Sequence, residues 1–579
     1  MKVCPRYALI FFWSCLIFGQ SIFLSKSVAM VVCQDTQSGG PVQPFRSIAE
    51  LTRRGSEYHG KKQYKESLEC YGLALKLGCS DATVAFNAAC SASLAGETDL
   101  GFKYLNQSID FGWIKTDSLN SDKDLSGLHA DPRWEKVVGR CAAAAKRVRT
   151  RWNSSALKTP YAENISDAQK AAGLSKIWAE VKFNFVHFEQ VPDLDWDAAY
   201  MNAMPKVLAT KSTLEYYTEL RRLVARLNDG HTNVYFPRAL STQNSSIGIK
   251  TQLIEGKVIV TEVNDSAIRK SGVKVGMEVT KVNGLSATEH ATNNVTPFVC
   301  ASSPQDRESQ MYGSKFLRGP LKQAVELTVR DAEGNSKTHE VKRMSTTGWL
   351  LNRVTKPAFF QFDIIETNGI NVGYVRLNSF ATKMASAQFA AAFEKIKKTD
   401  ALILDLRKNG GGNSGVGWEI LTYLTDQSFK MTRWHTLQYR PTHRAWGRQP
   451  MTRFGQEAGQ FNHVKKDVYQ KPVVMLIGPR TFSAAEDMAA VFDTLDRGKL
   501  IGGPTGGSTG QPLVFDLPGG GSARVCTKHD FYADGTEFVG PGIQPDVLVL
   551  PTVKDVRQGV DGVLQAALRE LEKSKLENK

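Results

Sequence analysis

A hydroxyl sits where an apolar run gives way to a helical pattern. In "KPVVMLIGPRTFSAAEDMAAVF", Ser483 follows a strand-like stretch and opens a segment whose apolar residues recur at helical spacing. A serine at the first turn of a helix lies among amide donors that lack intrahelical acceptors, at the positive end of the dipole. An alkoxide or oxyanion is stabilised there. A second strand-like run ends in "DLRKNGGGNSG", where glycines 410–412 let the backbone approach a substrate closely and turn N–H groups inward. Together these point to Ser483 as a nucleophile beside an oxyanion hole of backbone amides, each well-placed donor contributing on the order of 3 kcal/mol to the barrier. Each feature also has an ordinary reading. Ser483 with Glu486 three residues on makes a capping box. A glycine cluster after a strand turns the chain or binds phosphate, although no Lys-Ser/Thr follows to make a P-loop.

The elements that must hold these loops alternate. "INVGYVRLNSF", "DALILDLR" and "KPVVMLIG" read as strands; "MASAQFAAAFEKIKK", "NSGVGWEILTYL" and "SAAEDMAAVFDTL" read as helices. That order predicts a largely parallel sheet covered by helices, with both loops at the carboxyl ends of strands, where they share one crevice. Upstream, "GKVIVTEVNDSAIRKSGVKVGMEVTKVNG" alternates strand, short helix and strand, and "AVELTVRDAEGNSKTHEVKR" reads as a hairpin. Residues 165–240 carry helical periodicity. Residues 44–149 do too, and Leu68, Tyr71, Leu75 and Gly78 recur 34 positions later as Phe102, Leu105, Ile109 and Gly112. This period resembles tetratricopeptide repeats, with about two units visible.

A chain of 579 residues is too long for one core. Its net charge of +15 is scattered, and no Lys/Arg run is interleaved with aromatics, which argues against nucleic-acid binding. Lys2 and Arg6 precede "ALIFFWSCLIFGQSIFL", and Ser27 and Ala29 resemble a signal-peptidase site, so residues 1–30 read as a signal peptide or a membrane anchor. Cys33 raises a lipobox reading that Val32 fits poorly. Nine cysteines without a CxxC pair argue against a zinc site and a disulfide framework. No metal or cofactor is expected.

"YVRLNSF", "LILDLRKNGGG", "SAAE", "IGGPTGGSTGQ" and "GPGIQPDV" occur in this order at domain-scale spacing. The set resembles the serine peptidase family of the carboxyl-terminal processing (tail-specific) proteases and the tricorn protease core, over residues 165–550. The resemblance implies a multidomain α+β and α/β chain. Its parts are tetratricopeptide-like repeats (44–150), a helical segment (160–240), a PDZ-like domain (245–345), a crotonase-like core (355–555) and a C-terminal helix (556–579). It implies peptide-bond cleavage through an acyl-enzyme on Ser483, with Gly411 and Ala484 amides as the oxyanion hole. The tail-specific branch uses a lysine base in a Gly-Lys-Gly-x-x-Gln pattern; here the segment reads "GGSTGQ", with Ser508 at the place expected for lysine. Serine cannot act as a base near neutral pH. The tricorn-like branch takes a histidine from a small-residue–His pair, which "LNDGHT" matches with Gly230, where that branch has Ser, and His231. Imidazole titrates near neutrality and suits general-base work. Glu537 is then the orienting acid, two positions earlier than the pattern has it, with Asp229 as the alternative partner and His529 as the reserve base. Asp405 and Arg407 brace the glycine loop, and Asp546 closes the terminal turn. The resemblance implies an exported enzyme of the periplasm or cell envelope, a peptide or protein substrate presented by an unstructured chain end to the PDZ-like domain, and a protein partner at the repeats. The missing lysine supports a rival: an inactive member serving as a peptide- or lipid-binding scaffold.

Overall fold

The computed structural model describes residues 47–152, 154–343, 358–462, 465 and 467–577. The expected leader, with Cys4, Cys15 and Cys33, lies outside them. Two compact units are present, one ending at Ser154 and one beginning at Ser155. The described cysteines form no disulfide. Among the described residues no helix is long and apolar enough to cross a membrane.

The first unit is helical. Helices α1 (Ile48–Gly60), α2 (Tyr64–Lys76), α3 (Ala82–Leu94) and α4 (Thr98–Asp110) each have 13 residues. Short α5 (Thr116–Ser121) and long α6 (Arg133–Trp152) follow. Leu68, Tyr71 and Leu75 on α2 and Phe102, Leu105 and Ile109 on α4 are buried in one core, so the 34-residue period marks two equivalent inward faces. Polar groups tie α3 to its neighbours: Ser91 Oγ lies 3.2 Å from His59 Nδ1 on α1 and 2.9 Å from the Ser67 hydroxyl on α2.

The second unit begins with α7 (Asp167–Asn184), α8 (Trp196–Leu208) and α9 (Thr213–Ala225), which bury Leu174, Ile177, Val181, Tyr216, Tyr217 and Leu220. Strand β1 (Asn233–Tyr235) follows. An antiparallel sheet comes next, in the order β2 (Ile249–Ile254), β3 (Lys257–Val263), β4 (Glu278–Val282), β5 (Ala324–Arg330), β6 (Ser336–Lys342), around Val258, Val260, Val279 and Leu327.

The remaining chain builds a six-stranded sheet. Its strands are β7 (Phe360–Thr367), β8 (Ile370–Leu377), β9 (Ala401–Asp405), β12 (Val473–Ile477), β13 (Leu500–Gly502) and β17 (Val547–Leu548), in that spatial order. Only the β7–β8 pair is antiparallel. Every residue of β9 and β12 is buried, as an apolar strand covered on both faces requires. Alternation divides them: Leu402, Leu404 and Met475 pack toward α10 (Met384–Ile396), α11 (Ser414–Leu421) and α12 (Ala484–Thr494). Ile403, Val474 and Leu476 pack toward α13 (Gly562–Glu577). Two smaller sheets lie beside this core. One pairs β1 with β15 (Ser522–Cys526) and β15 with β14 (Pro512–Asp516). The other joins β10 (Arg433–Tyr439) to β11 (Met451–Gln456) and to β16 (His529–Phe531).

Candidate active site

Ser483 lies in the tight turn between β12 and α12, with φ 58° and ψ −129°. Such a conformation strains a non-glycine residue by about 1–3 kcal/mol and is held only by surrounding contacts. Those contacts are visible. Ser483 N–H donates to Ser508 O and to Glu486 Oε2, each at 3.0 Å. Ser483 and Glu486 form a capping box at the start of α12. The Ser483 Oγ lies 3.0 Å from His231 Nε2. The strained turn thus presents the hydroxyl to the imidazole.

His231 arrives from a remote part of the chain. Helix α9 ends, a turn follows, and β1 pairs antiparallel with β15, Asn233 opposite Arg524. Arg524 Nη2 and Asn233 Nδ2 donate to Gly230 O at 3.2 and 2.8 Å, and Gly230 N–H donates to Ser302 Oγ at 3.1 Å. The imidazole stacks on Phe482, the residue before Ser483, with centroids 4.9 Å apart and planes 14° apart. Its second nitrogen, Nδ1, lies 2.9 Å from Ser508 Oγ. The ring is buried, and burial pushes its pKa down to about 3, against the opposing pull of the Asp229 charge.

Glu486 is the structural hub. Fully buried, its Oε1 accepts from Thr505 Oγ1 and Gly507 N, both at 2.7 Å, and its Oε2 accepts from Ser508 N at 3.0 Å besides Ser483 N. Burial pushes this acid up to about 8 while these hydrogen bonds pull it down. Four donors occupy both oxygens, which favours the carboxylate. The carboxylate therefore clamps the 505–508 segment to the Ser483 turn.

The glycine loop packs directly on that turn. Gly411 has φ 90°, and a Cβ there would lie 2.6 Å from both Phe482 O and Ser483 Cβ, so only glycine fits. Its N–H donates to Asn409 Oδ1 at 2.9 Å. Ala484 opens α12, so its amide is a first-turn donor. Arg407 braces the strand end, reaching Asp405 Oδ2 at 2.7 Å and Asp561 Oδ2 at 2.8 Å. Asp546 Oδ2 accepts from Leu500 N at 2.7 Å.

Ser483, His231, Gly411 and Ala484 thus come together, and Glu537 does not join them at the imidazole. Its carboxylate, half exposed, lies 2.9 Å from His529 Nε2. His529 sits buried in β16 rather than on a surface loop, stacked on Phe531 and 4.7 Å centroid to centroid from His187. Asp229 is buried and accepts from Thr232 Oγ1 and, at 3.1 Å, from Ser302 Oγ, so it acts on His231 through its field. Aligning the six-residue lysine pattern on Gln511 moves the lysine's position to Gly507, one residue before Ser508; neither residue carries an amine.

Three groupings around the site were not legible in the sequence, although Asp229 was named as a possible partner of His231. Glu486 was read only as a cap residue; its burial depends on the loop that covers it. His187, Asp229 and Cys526 place one ligand-type atom each within 4.8 Å of one another, with His187 Nε2 3.4 Å from Cys526 Sγ. Asp487, Asp530 and Lys528 form a charged cluster one helical turn beyond Ser483. There burial and the Asp530 charge push Asp487 up to about 7, and Lys528 Nζ lies 2.7 Å from Asp530 Oδ1.

Residues 371–549 match the family model "Peptidase family S41". The chain is 24% identical over 361 residues to carboxyl-terminal-processing peptidase 1, chloroplastic, of Arabidopsis thaliana; the match covers 60% of this chain and 65% of the plant protein, just under two thirds. It is 25% identical over 391 residues to a carboxyl-terminal-processing protease of Picosynechococcus sp., covering 65% of this chain and 82% of that protein. The structure of mature CPAF complexed with lactacystin superposes with a TM-score of 0.56 at 15% identity, covering 71% of this chain and 98% of CPAF, which establishes a shared fold.

Proposed function

Because residues 371–549 match peptidase family S41 and the chain is similar to carboxyl-terminal-processing proteases, we propose that it hydrolyses peptide bonds through an acyl-enzyme on Ser483, with His231 as general base. The observation that carries the reading is the 3.0 Å contact between Ser483 Oγ and His231 Nε2. The hydroxyl gives its proton to Nε2 as Oγ attacks the carbonyl carbon. The imidazolium returns the proton to the leaving amine, and water then repeats the cycle on the ester. Ala484 and Gly411 N–H groups form the oxyanion hole in this reading. Asn409 Oδ1 competes for the Gly411 donor, so the hole is complete once the substrate oxygen displaces that contact. Glu537, the orienting acid implied by the resemblance, is assigned here to His529.

The finer assignments are part of the same proposal. Residues 245–345 form a PDZ-like domain that captures an unstructured chain end as an added strand. Residues 355–555 form a crotonase-like core, and the helices of residues 44–150 act as tetratricopeptide-like repeats that dock a protein. Export to the periplasm or cell envelope follows from the leader-like residues 1–30.

A fluorophosphonate probe tests the reading. Wild-type protein is expected to be labelled at Ser483, and Ser483→Ala to lose both labelling and peptide hydrolysis. Wild-type protein that resists labelling at every pH would favour the scaffold reading.

The pH profile supplies a second expected result. A general base works only when neutral, and burial lowers the pKa of His231. The neutral form therefore persists as pH falls below the ordinary imidazole range. The acid limb of kcat/KM is expected below 6.5, the ordinary value for imidazole, and a limb at or above that value would mean a solvated imidazole in the free enzyme.

A further inference from the structure

We infer that the Ser508 hydroxyl is the positioning group for His231, in place of a carboxylate; the inference deepens the peptidase reading and rests on it. For Nε2 to accept the Ser483 proton, Nδ1 must carry the other proton and needs an acceptor. Ser508 Oγ lies 2.9 Å from Nδ1. The stack on Phe482 fixes the plane of the ring. A stack does not decide which edge of the ring faces Ser483, because a flip about the Cβ–Cγ bond preserves it while exchanging Nε2 with Cε1. The hydrogen bond from Nδ1 to Ser508 makes that choice. Among the described residues no carboxylate is hydrogen-bonded to His231: Asp229 is taken up by Thr232 and Ser302, and Glu537 lies against His529.

Ser508 is itself held from three sides. It is fully buried, its N–H donates to Glu486 Oε2 at 3.0 Å, and its carbonyl accepts the Ser483 N–H at 3.0 Å. One residue thus joins the amide of the nucleophile, the second nitrogen of the base and the buried carboxylate. The space for its hydroxyl depends on Gly230. A Cβ at position 230 would stand 2.8 Å from Ser508 Oγ and 2.7 Å from Phe482 Cζ. Glycine before the histidine and serine at 508 form a matched pair, and one hydroxyl fits beside Nδ1.

The step balances without a second proton transfer. The Ser483 O–H bond breaks, an Nε2–H bond forms, and Nδ1 keeps its proton throughout. As the ring becomes cationic, the Nδ1–H bond to Ser508 Oγ strengthens. A neutral hydroxyl stabilises that cation less than a carboxylate does, which suits a base that burial keeps neutral.

Ser508→Ala tests the inference, since it keeps both main-chain hydrogen bonds. The kcat for a peptide substrate is expected to fall by about 10- to 100-fold, the size of one hydrogen bond to a charged group, with KM unchanged and only a small fall in thermal midpoint. The acid limb of kcat/KM is expected to move to lower pH, because losing an acceptor disfavours the imidazolium. Nitrogen-15 NMR of the His231 ring is expected to show the proton on Nδ1 in the wild type and a tautomer mixture in the variant. A variant with wild-type turnover and pH profile overturns the role. So does a fall in kcat that comes with lost stability and an unmoved acid limb, which is a packing effect. Wild-type protein without labelling at Ser483 defeats the peptidase reading instead, and the NMR tautomer still decides whether Ser508 orients the ring.

Discussion

His231→Ala is expected to lower kcat for peptide hydrolysis by roughly four to six orders of magnitude while the protein stays folded. The imidazole is the base in contact with Ser483 Oγ, and a serine hydroxyl has too high a pKa to attack unaided near neutral pH. Nothing nearby substitutes readily. Ser508 has no basic nitrogen, and Glu486 is spent on four donors. Removing the ring also empties the stack on Phe482, so a modest stability cost is expected. Single-turnover acylation by an activated ester separates the two effects: loss of the base slows acylation, whereas loss of packing alone leaves it intact. Turnover within tenfold of wild type would move the base to another residue and end the Ser483–His231 assignment.

The second large effect concerns stability. Glu486→Ala is expected to destabilise the second unit by about 3–5 kcal/mol, because it strands buried donors that have no water to turn to. The Gly507 and Ser508 N–H groups and the Thr505 hydroxyl lose their acceptor at once, and the Ser483 N–H keeps only Ser508 O. The strained Ser483 turn loses one of the contacts that hold it, so activity is expected to fall with stability. Glu486→Gln is no remedy, since its NH₂ group would face an N–H donor. Chemical unfolding followed by tryptophan fluorescence measures the shift. A Glu486→Ala protein within 1 kcal/mol of wild type that retains its activity would show the clamp to be idle.

How much of this was legible in the sequence differs from element to element. The strands of residues 401–405 and 473–477 and the helix that follows Ser483 were readable from apolar runs and periodicity, because burial on both faces leaves a local signature in composition. Glycine at 411 was readable as a close backbone approach, although what it approaches was not. The 34-residue period likewise marked two matching inward faces in the first unit.

The sequence by itself determined the kinds of groups on offer: a serine at a strand-to-helix corner, a glycine loop, a histidine after a helix and no lysine in the expected pattern. Only the tertiary structure decided who meets whom. Strand β1 pairs with β15 across nearly 290 residues and carries His231 to Ser483. The same folding sends Glu537 to His529, turns Ser508 onto Nδ1 and buries Glu486 under the 505–508 segment. The reason is physical. Secondary structure is set by residues within a few positions of one another, whereas partnership within a site depends on distances across sheets, to which spacing along the chain gives no measure.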